Sequence, residues 1–367
     1  MGAAQRFTTQ GQVVDVHEHG SGNVNDTFLV TVESGPENHF ILQRINTHVF
    51  RHPEWIMLNM RTFSEHVLER LRHEPAQAGR KWEVPRVFPT RDGKDYFVDL
   101  EGNFWRAISF VDRSSCYETV QSIDQAREAG YALGRFQNLI SDLDAARLYD
   151  TLEGFHITPR YLEQYDRVMA RNDVDEGAAE VAALRRYCSH FVAERKGWAC
   201  VLEKAKERGA LVLRPIHGDP KVNNIMIDEQ TGRAISLIDL DTVKPGLVHY
   251  DIGDCLRSCC NLLGEETEAL ADVRFETDLC QAILQGYSSE ANRFLSDQDY
   301  SYMYDAIRLI AFELGLRFFT DYLEGNVYFK ARHREHNLWR ALVQFKLAES
   351  IEFQETGIRA IIDDLKK

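Results

Sequence analysis

The chain has 367 residues, 44% hydrophobic and 27% charged, the balance of a globular protein with room for one large bilobal domain or two modest ones. Its 57 acidic residues against 43 basic ones leave a formal charge of −14, which argues against a nucleic-acid footprint. Seven cysteines without a Cys-x-x-Cys pair, no apolar leader and no apolar run long enough to span a bilayer point to a reduced, cytoplasmic protein with no membrane partner and no structural zinc.

Residues 12–16, 27–32 and 39–45 read as strands. The first two flank His19-Gly20-Ser21-Gly22-Asn23-Val24-Asn25-Asp26, and glycine in such a turn lets the backbone approach an anion with no side chain in the way. Residues 53–72 place Ile56, Met57, Met60, Phe63, Val67, Leu68 and Leu71 at helical spacing, with Glu65 and Glu69 read as solvated. Strands at 84–88, 96–100 and 104–111 complete a mostly antiparallel sheet. The last apolar run ends at Asp112-Arg113-Ser114-Ser115, a hinge dividing an N-terminal domain, 1–112, from a second, 113–367.

Helical patterns at 123–141, 159–170, 180–195 and 198–208 then dominate. They lead to Ile216-His217-Gly218-Asp219-Pro220-Lys221-Val222-Asn223-Asn224-Ile225. Apolar runs at 225–227 and 234–238 read as a hairpin closed by Asp228-Glu229-Gln230-Thr231-Gly232, and Asp239 and Asp241 follow its second strand. Pairing those strands is expected to bring Asp219, Asn224 and Asp239 to one spot. Phosphoryl transfer requires such a set: a carboxylate for the attacking hydroxyl and oxygen ligands for a divalent cation. Further on, Arg257 is a partner for Asp251 or Asp254, and a helix N-cap is one role for Asp251. Residues 302–324 read as one helix stopped by Gly325-Asn326, with Glu313, Arg317 and Asp321 spaced for a surface ladder of ion pairs. Residues 337–367 read as a last helix.

The pattern His217-Gly218-Asp219-x4-Asn224 followed by Ile238-Asp239 resembles the aminoglycoside phosphotransferase and choline kinase-like family. The resemblance implies an α+β, bilobal protein-kinase-like fold, with an N-terminal antiparallel sheet lobe plus a helix and a larger, mainly helical C-terminal lobe. It implies ATP and Mg²⁺ as cofactors, Asp219 as catalytic base with Lys221 beside it, and Asn224 and Asp239 as metal ligands. It also implies nucleotide contacts from Ser21 and Gly22 of the Gly-rich turn and from the backbone at Ser109 and Val111. The lysine of the third kinase strand is replaced by Gln43, with Arg44 adjacent: either Gln43 meets the phosphates, or a bulge turns Arg44 toward them. Asp241 is a further metal ligand or, the favoured reading, a group behind the ligands. The resemblance also implies that an acid just after the metal loop, Asp251 or Asp254, braces the loop around Asp219, the rival to the helix N-cap for Asp251. The stretches 41–47, 238–242 and 317–329, followed by Glu335-His336-Asn337-Leu338, are similar to bacterial N-acetylhexosamine 1-kinases. That likeness implies a GlcNAc or GalNAc substrate phosphorylated on its anomeric hydroxyl, with Arg317, Tyr328 and Asn25 facing the sugar. Another sugar, an aminoglycoside, homoserine or choline as acceptor, or a nucleotide-binding pseudokinase, are the alternatives.

Overall fold

The computed structural model describes residues 2–7, 11–20, 24–33, 38–74, 80–171 and 178–366. The chain divides into two compact units, one of Met1–Ser115, Leu139–Glu153 and Met226–Pro245, the other of Cys116–Asn138, Gly154–Ile225 and Gly246–Lys367.

In the first unit, β-branched and aromatic residues build β1 (Gln12–Glu18), β2 (Asp26–Glu33), β3 (His39–Ile45), β4 (Val87–Phe88), β5 (Phe97–Val98) and β6 (Phe104–Ser109). They pair antiparallel in the order β1-β2-β3-β6-β4, with β5 also on β6. Alternation along the strands sends Val13, Val30, Val32, Phe40, Leu42 and Ala107 into one core, where Ala4 and Phe7 join them. β4 and β5 are shorter than the sequence suggests. Pro85 has no N–H to give a ladder, and the Asp99 carboxylate captures the N–H groups of Glu101 and Asn103 for a turn. Helix α1 (Pro53–His73) starts with proline in its first turn and buries Ile56, Met57, Met60, Phe63 and Val67. Its buried Asn59 donates to the carbonyls of Tyr149 and Val243, fastening the segments 139–153 and 226–245 to this unit. The expected hairpin forms from Ile225–Asp228 and Ala234–Leu237, with β7 (Ser114–Ser115) on its outer edge. The Asp228 side chain accepts from the Thr231 N–H, and Gly232, at φ +66°, closes the turn.

The second unit is helical: α2 (Ile123–Leu139), α3 (Thr158–Ala170), α4 (Ala179–Arg195), α5 (Val201–Glu207), α6 (Val248–Cys259), α7 (Thr277–Ala291), α8 (Asp297–Leu323), α9 (His336–Phe353) and α10 (Glu355–Asp364). Phe191 stacks on Phe345 at 4.4 Å between centroids, and Phe312 packs beside both. α2 and α7 touch through glycine: a Cβ on Gly286 would stand 1.9 Å from the Arg127 carbonyl oxygen. α6 carries Asp251, Asp254 and Arg257 on one face, and that polar face is buried along with the apolar one. α8 begins before residue 302 because Ser296 and Asp299 form a reciprocal cap, each side chain accepting from the other's N–H. The helix expected over 337–367 is two. They part at Gln354, whose side-chain amide donates to the Phe275 carbonyl.

Candidate active site

His217-Gly218-Asp219 follows a short strand, Arg214–Ile216, and turns on Gly218 at φ +88°, a conformation that favours glycine. Asp251, fully buried on α6, holds the turn: one carboxylate oxygen accepts from the His217 N–H at 2.9 Å and the other from the Gly218 N–H at 2.8 Å. Gln137 of α2 donates a third bond at 2.9 Å and is fixed in turn by the Tyr287 hydroxyl at 2.7 Å. Burial pushes the Asp251 carboxyl up from its ordinary range, against the pull of those donors and of His217. Of the two candidates for bracing the loop, Asp251 does it, and Asp254 instead pairs with Arg257 at 2.8 Å.

Asp219, Lys221 and Asn224 lie side by side on this loop. Lys221 Nζ lies 3.0 Å from Asp219 Oδ2, and the Asn224 amide donates to the Asp219 carbonyl oxygen at 2.7 Å. With its nitrogen committed there, Asn224 has its side-chain oxygen as the donor atom for a hard cation, so the residue suits a magnesium ligand.

Arg317 does not join a ladder of ion pairs. Glu313 is turned inward to His156 and Thr158. Asp321 accepts from the N–H groups of Val327, Tyr328 and Phe329 and from the Asn337 side chain, at 2.8–3.0 Å. Asp321 thereby folds the segment after α8 back on itself, aided by Gly325 and Asn326 at positive φ. That return places aromatic rings around the Arg317 guanidinium: Phe155 and Tyr161 at 5.0 Å, Phe329 at 5.3 Å and Tyr328 at 5.8 Å. Burial opposes the charge, but Tyr161, Tyr328, Glu313 and Asp219 outweigh it and hold Arg317 above its ordinary pKa. Arg317 therefore lies within the electrostatic reach of Asp219. Phe155, Tyr161 and His156 are the members of this constellation that motif reading missed, and the spacing shows Asp321 only as an ion-pair partner.

In the first unit, β3 pairs in unbroken register on both sides of Gln43, opposite Thr27 on β2 and Arg106 on β6, so no bulge turns Arg44 inward. Arg44 is half-exposed and pairs with its cross-strand neighbour Asp26. Gln43 donates to Thr27 Oγ1 at 3.0 Å and accepts from Arg106 Nε at 2.9 Å and Nη2 at 2.7 Å. Arg106, which no motif singles out, is fully buried and forms an ion pair with Asp241. Asp241 also accepts from the Asn25 amide at 2.7 Å, and Asn25 Oδ1 accepts from the Asn46 N–H at 2.9 Å. Asn25 thus has both ends of its amide engaged inside this unit. No α1 acid takes part: Glu65 and Glu69 are exposed, and it is Met60 that meets Arg106 Nη1, at 3.1 Å. Asp239 stands in the left-handed region, φ 63° and ψ 59°, where a non-glycine residue is strained, and such strain gathers at functional positions. The N–H and hydroxyl of Ser109 both bond to the Arg86 backbone, and the Val111 carbonyl accepts from Ser114. Ser21 and Gly22 lie outside the described residues.

A sequence model of the phosphotransferase enzyme family matches residues 15–290. Among solved structures, an aminoglycoside phosphotransferase from Alicyclobacillus acidocaldarius is 15% identical with a TM-score of 0.63, covering 99% of this chain and 96% of its own. A microcompartment-associated aminopropanol kinase is 18% identical with a TM-score of 0.58, covering 97% and 98%. A choline kinase from Cryptosporidium parvum is 15% identical with a TM-score of 0.58, covering 96% and 93%. At these identities the likeness establishes a shared kinase-like fold. Among the described residues no helix is long and apolar enough to cross a membrane. The match over residues 15–290 makes this chain a member of the phosphotransferase enzyme family, a small-molecule kinase with a hydroxyl acceptor.

Proposed function

We propose that this kinase transfers the γ-phosphate of ATP to the anomeric hydroxyl of an N-acetylhexosamine, GlcNAc or GalNAc, to give the sugar 1-phosphate. The observation that carries the choice of acceptor is the guanidinium of Arg317, ringed by Phe155, Tyr161, Tyr328 and Phe329 and within the field of Asp219. A cationic acceptor would meet like charge there, at a cost that grows as water is excluded. A neutral sugar instead offers hydroxyl and N-acetyl oxygens to the fork of donors and C–H faces to the rings.

Asp219 receives and aligns the acceptor hydroxyl and takes its proton, while Lys221 adds positive charge where the phosphoryl group passes. Asn224 and Asp239 are the oxygen donors for Mg²⁺, which when bound offsets phosphate charge. Arg317 and Tyr328 orient the sugar. Asn25, with both ends of its amide engaged, serves to hold Asp241 and leaves sugar contact to those two. Asp241 stands behind the metal ligands, neutralised by Arg106. With Ser109 bonded to Arg86, the adenine contact falls to the backbone at Val111.

The test is a panel of free monosaccharides, choline and an aminoglycoside with ATP and Mg²⁺, the product read by phosphorus NMR. A 1-phosphate of GlcNAc or GalNAc is expected. Preferred turnover of choline or the aminoglycoside would overturn the acceptor reading. Asp219→Asn should keep nucleotide affinity and lose at least about a hundredfold in turnover, the scale of a general base. Wild-type turnover in that variant would remove Asp219 from its role.

A further inference from the structure

His156 lies just before α3, buried, at φ 66°, a left-handed conformation that residues other than glycine avoid. Its Nε2 is 2.7 Å from the carbonyl oxygen of Gly218, the residue directly ahead of Asp219. Its Nδ1 is 2.9 Å from Glu313 Oε1 on α8, one helical turn ahead of Arg317. The other Glu313 oxygen accepts from the Thr158 hydroxyl at 2.6 Å. A backbone carbonyl has no proton to give, and a carboxylate has none either. A neutral imidazole carries one N–H and satisfies only one of these acceptors, whereas an imidazolium satisfies both.

From this geometry we propose that His156 is a positioning residue, an imidazolium clasp tying the backbone ahead of Asp219 to the helix that carries Arg317. The proposal rests on Asp219 as base and Arg317 as the acceptor contact. With the clasp closed, the group that takes the proton and the group that orients the acceptor share one rigid link. With the proton lost, one of the two hydrogen bonds must go.

The surroundings favour the charged form. Glu313 of α8 and Asp254 of α6 supply negative charge, that of Asp254 shared with its ion-pair partner Arg257 on the same helix. Tyr250 of α6 stacks on the ring at 5.4 Å, Phe155 packs at 4.0 Å, and Tyr161 of α3 is adjacent. Arg317 and Asp219 are the other charges nearby, and they attract one another. Burial alone would expel the proton from His156, but Glu313, Asp254 and the Gly218 carbonyl together outweigh it and hold the imidazole above its ordinary value. Glu313 is held below its own despite burial, because His156 and Arg317 face it. By linkage the clasp is at full strength between the lowered carboxyl and the raised imidazole, and it is lost as pH rises through the latter.

The decisive experiment is a pH titration of the full chain labelled with ¹⁵N-histidine, the His156 signals being assigned by their absence in His156→Gln or by coupling to Phe155. Both ring nitrogens should stay protonated beyond the pH at which an ordinary imidazole has lost its proton. Glu313→Gln, which keeps an acceptor and removes the charge, should lower the midpoint by about one pH unit or more. In the same variant the loss of kcat/KM for the acceptor should deepen from pH 6 to pH 8, while the KM for nucleotide stays put. A neutral His156 ring at pH 7 in the wild type, or a Glu313→Gln midpoint equal to wild type, overturns the clasp. If no acceptor is turned over by the wild type, the kinase reading falls by itself and the ring titration still decides the clasp.

Discussion

Asp241 and Asp251 are both buried carboxylates behind loops that carry predicted active-site acids, yet each unit neutralises its own in a different currency. In the first unit Asp241 faces a full charge, the guanidinium of Arg106, with the Asn25 amide as a second donor. In the second, Asp251 has main-chain dipoles and one side-chain amide, and burial lifts its pKa all the same. An ion pair consists of two side chains, and both can be removed. A carboxylate held by main-chain N–H groups has partners that no substitution short of proline deletes. The first brace is therefore replaceable as a unit, and the second is not.

The largest effect should come from Asp251→Leu. It leaves the N–H groups of His217 and Gly218 and the Gln137 amide buried without an acceptor, each costing about 1–3 kcal/mol. Urea denaturation should show the loss, and adding Gln137→Leu should return one donor's share at most. Full recovery in that double variant would mean that the main-chain bonds count for little. Next comes Arg106→Met, which strands Asp241 as a buried, unpaired charge at a cost of about 3–5 kcal/mol. Here the second substitution is expected to rescue: Arg106→Met with Asp241→Leu replaces the pair by apolar groups, a change that is often neutral. Only the shares of Asn25 and Gln43, each an unmatched amide at about 1–3 kcal/mol, should remain. A double variant no more stable than Arg106→Met alone would erase the contrast with Asp251.

That contrast also explains what the sequence disclosed. Asp219, Lys221 and Asn224 are legible because their bonds are local: Asn224 reaches the carbonyl of Asp219 within the same turn. The hairpin is legible because its turn chemistry is contained in Asp228–Gly232. Arg106 is not, since its partner Asp241 comes from a segment far along the chain, and an arginine in a strand is unremarkable until its face is known. His156 is hidden for the same reason, with acceptors on Gly218 and Glu313 and a positive φ at a residue that is not glycine. Around Arg317 the spacing of Glu313 and Asp321 was visible, but spacing assumes a solvated face. Burial turned Glu313 to His156 and Asp321 to the backbone of the following segment. Pattern fixes which residues are neighbours on a helix, and burial decides what they do with each other.

The smallest effect sharpens the same lesson on β3, where two adjacent residues compete for the place of the missing lysine. Arg44 carries the charge, but it lies outside, paired with Asp26 at comparable exposure, and pairs of that kind contribute about 0–1 kcal/mol. Arg44→Ala should therefore leave stability nearly unchanged and move the KM for nucleotide by less than about twofold, the scale of a few tenths of a kcal/mol. Gln43 carries no charge, but it is the acceptor for two nitrogens of a buried guanidinium. Gln43→Leu strips that acceptor and should cost about 1–3 kcal/mol, with Arg106 left to Asp241 alone. If Arg44→Ala proved the more damaging to nucleotide affinity, the cation of this unit would sit on the open face of the sheet rather than inside it. The distinction between a charge that binds and a charge that braces would then have to be drawn at Arg44 instead of Arg106.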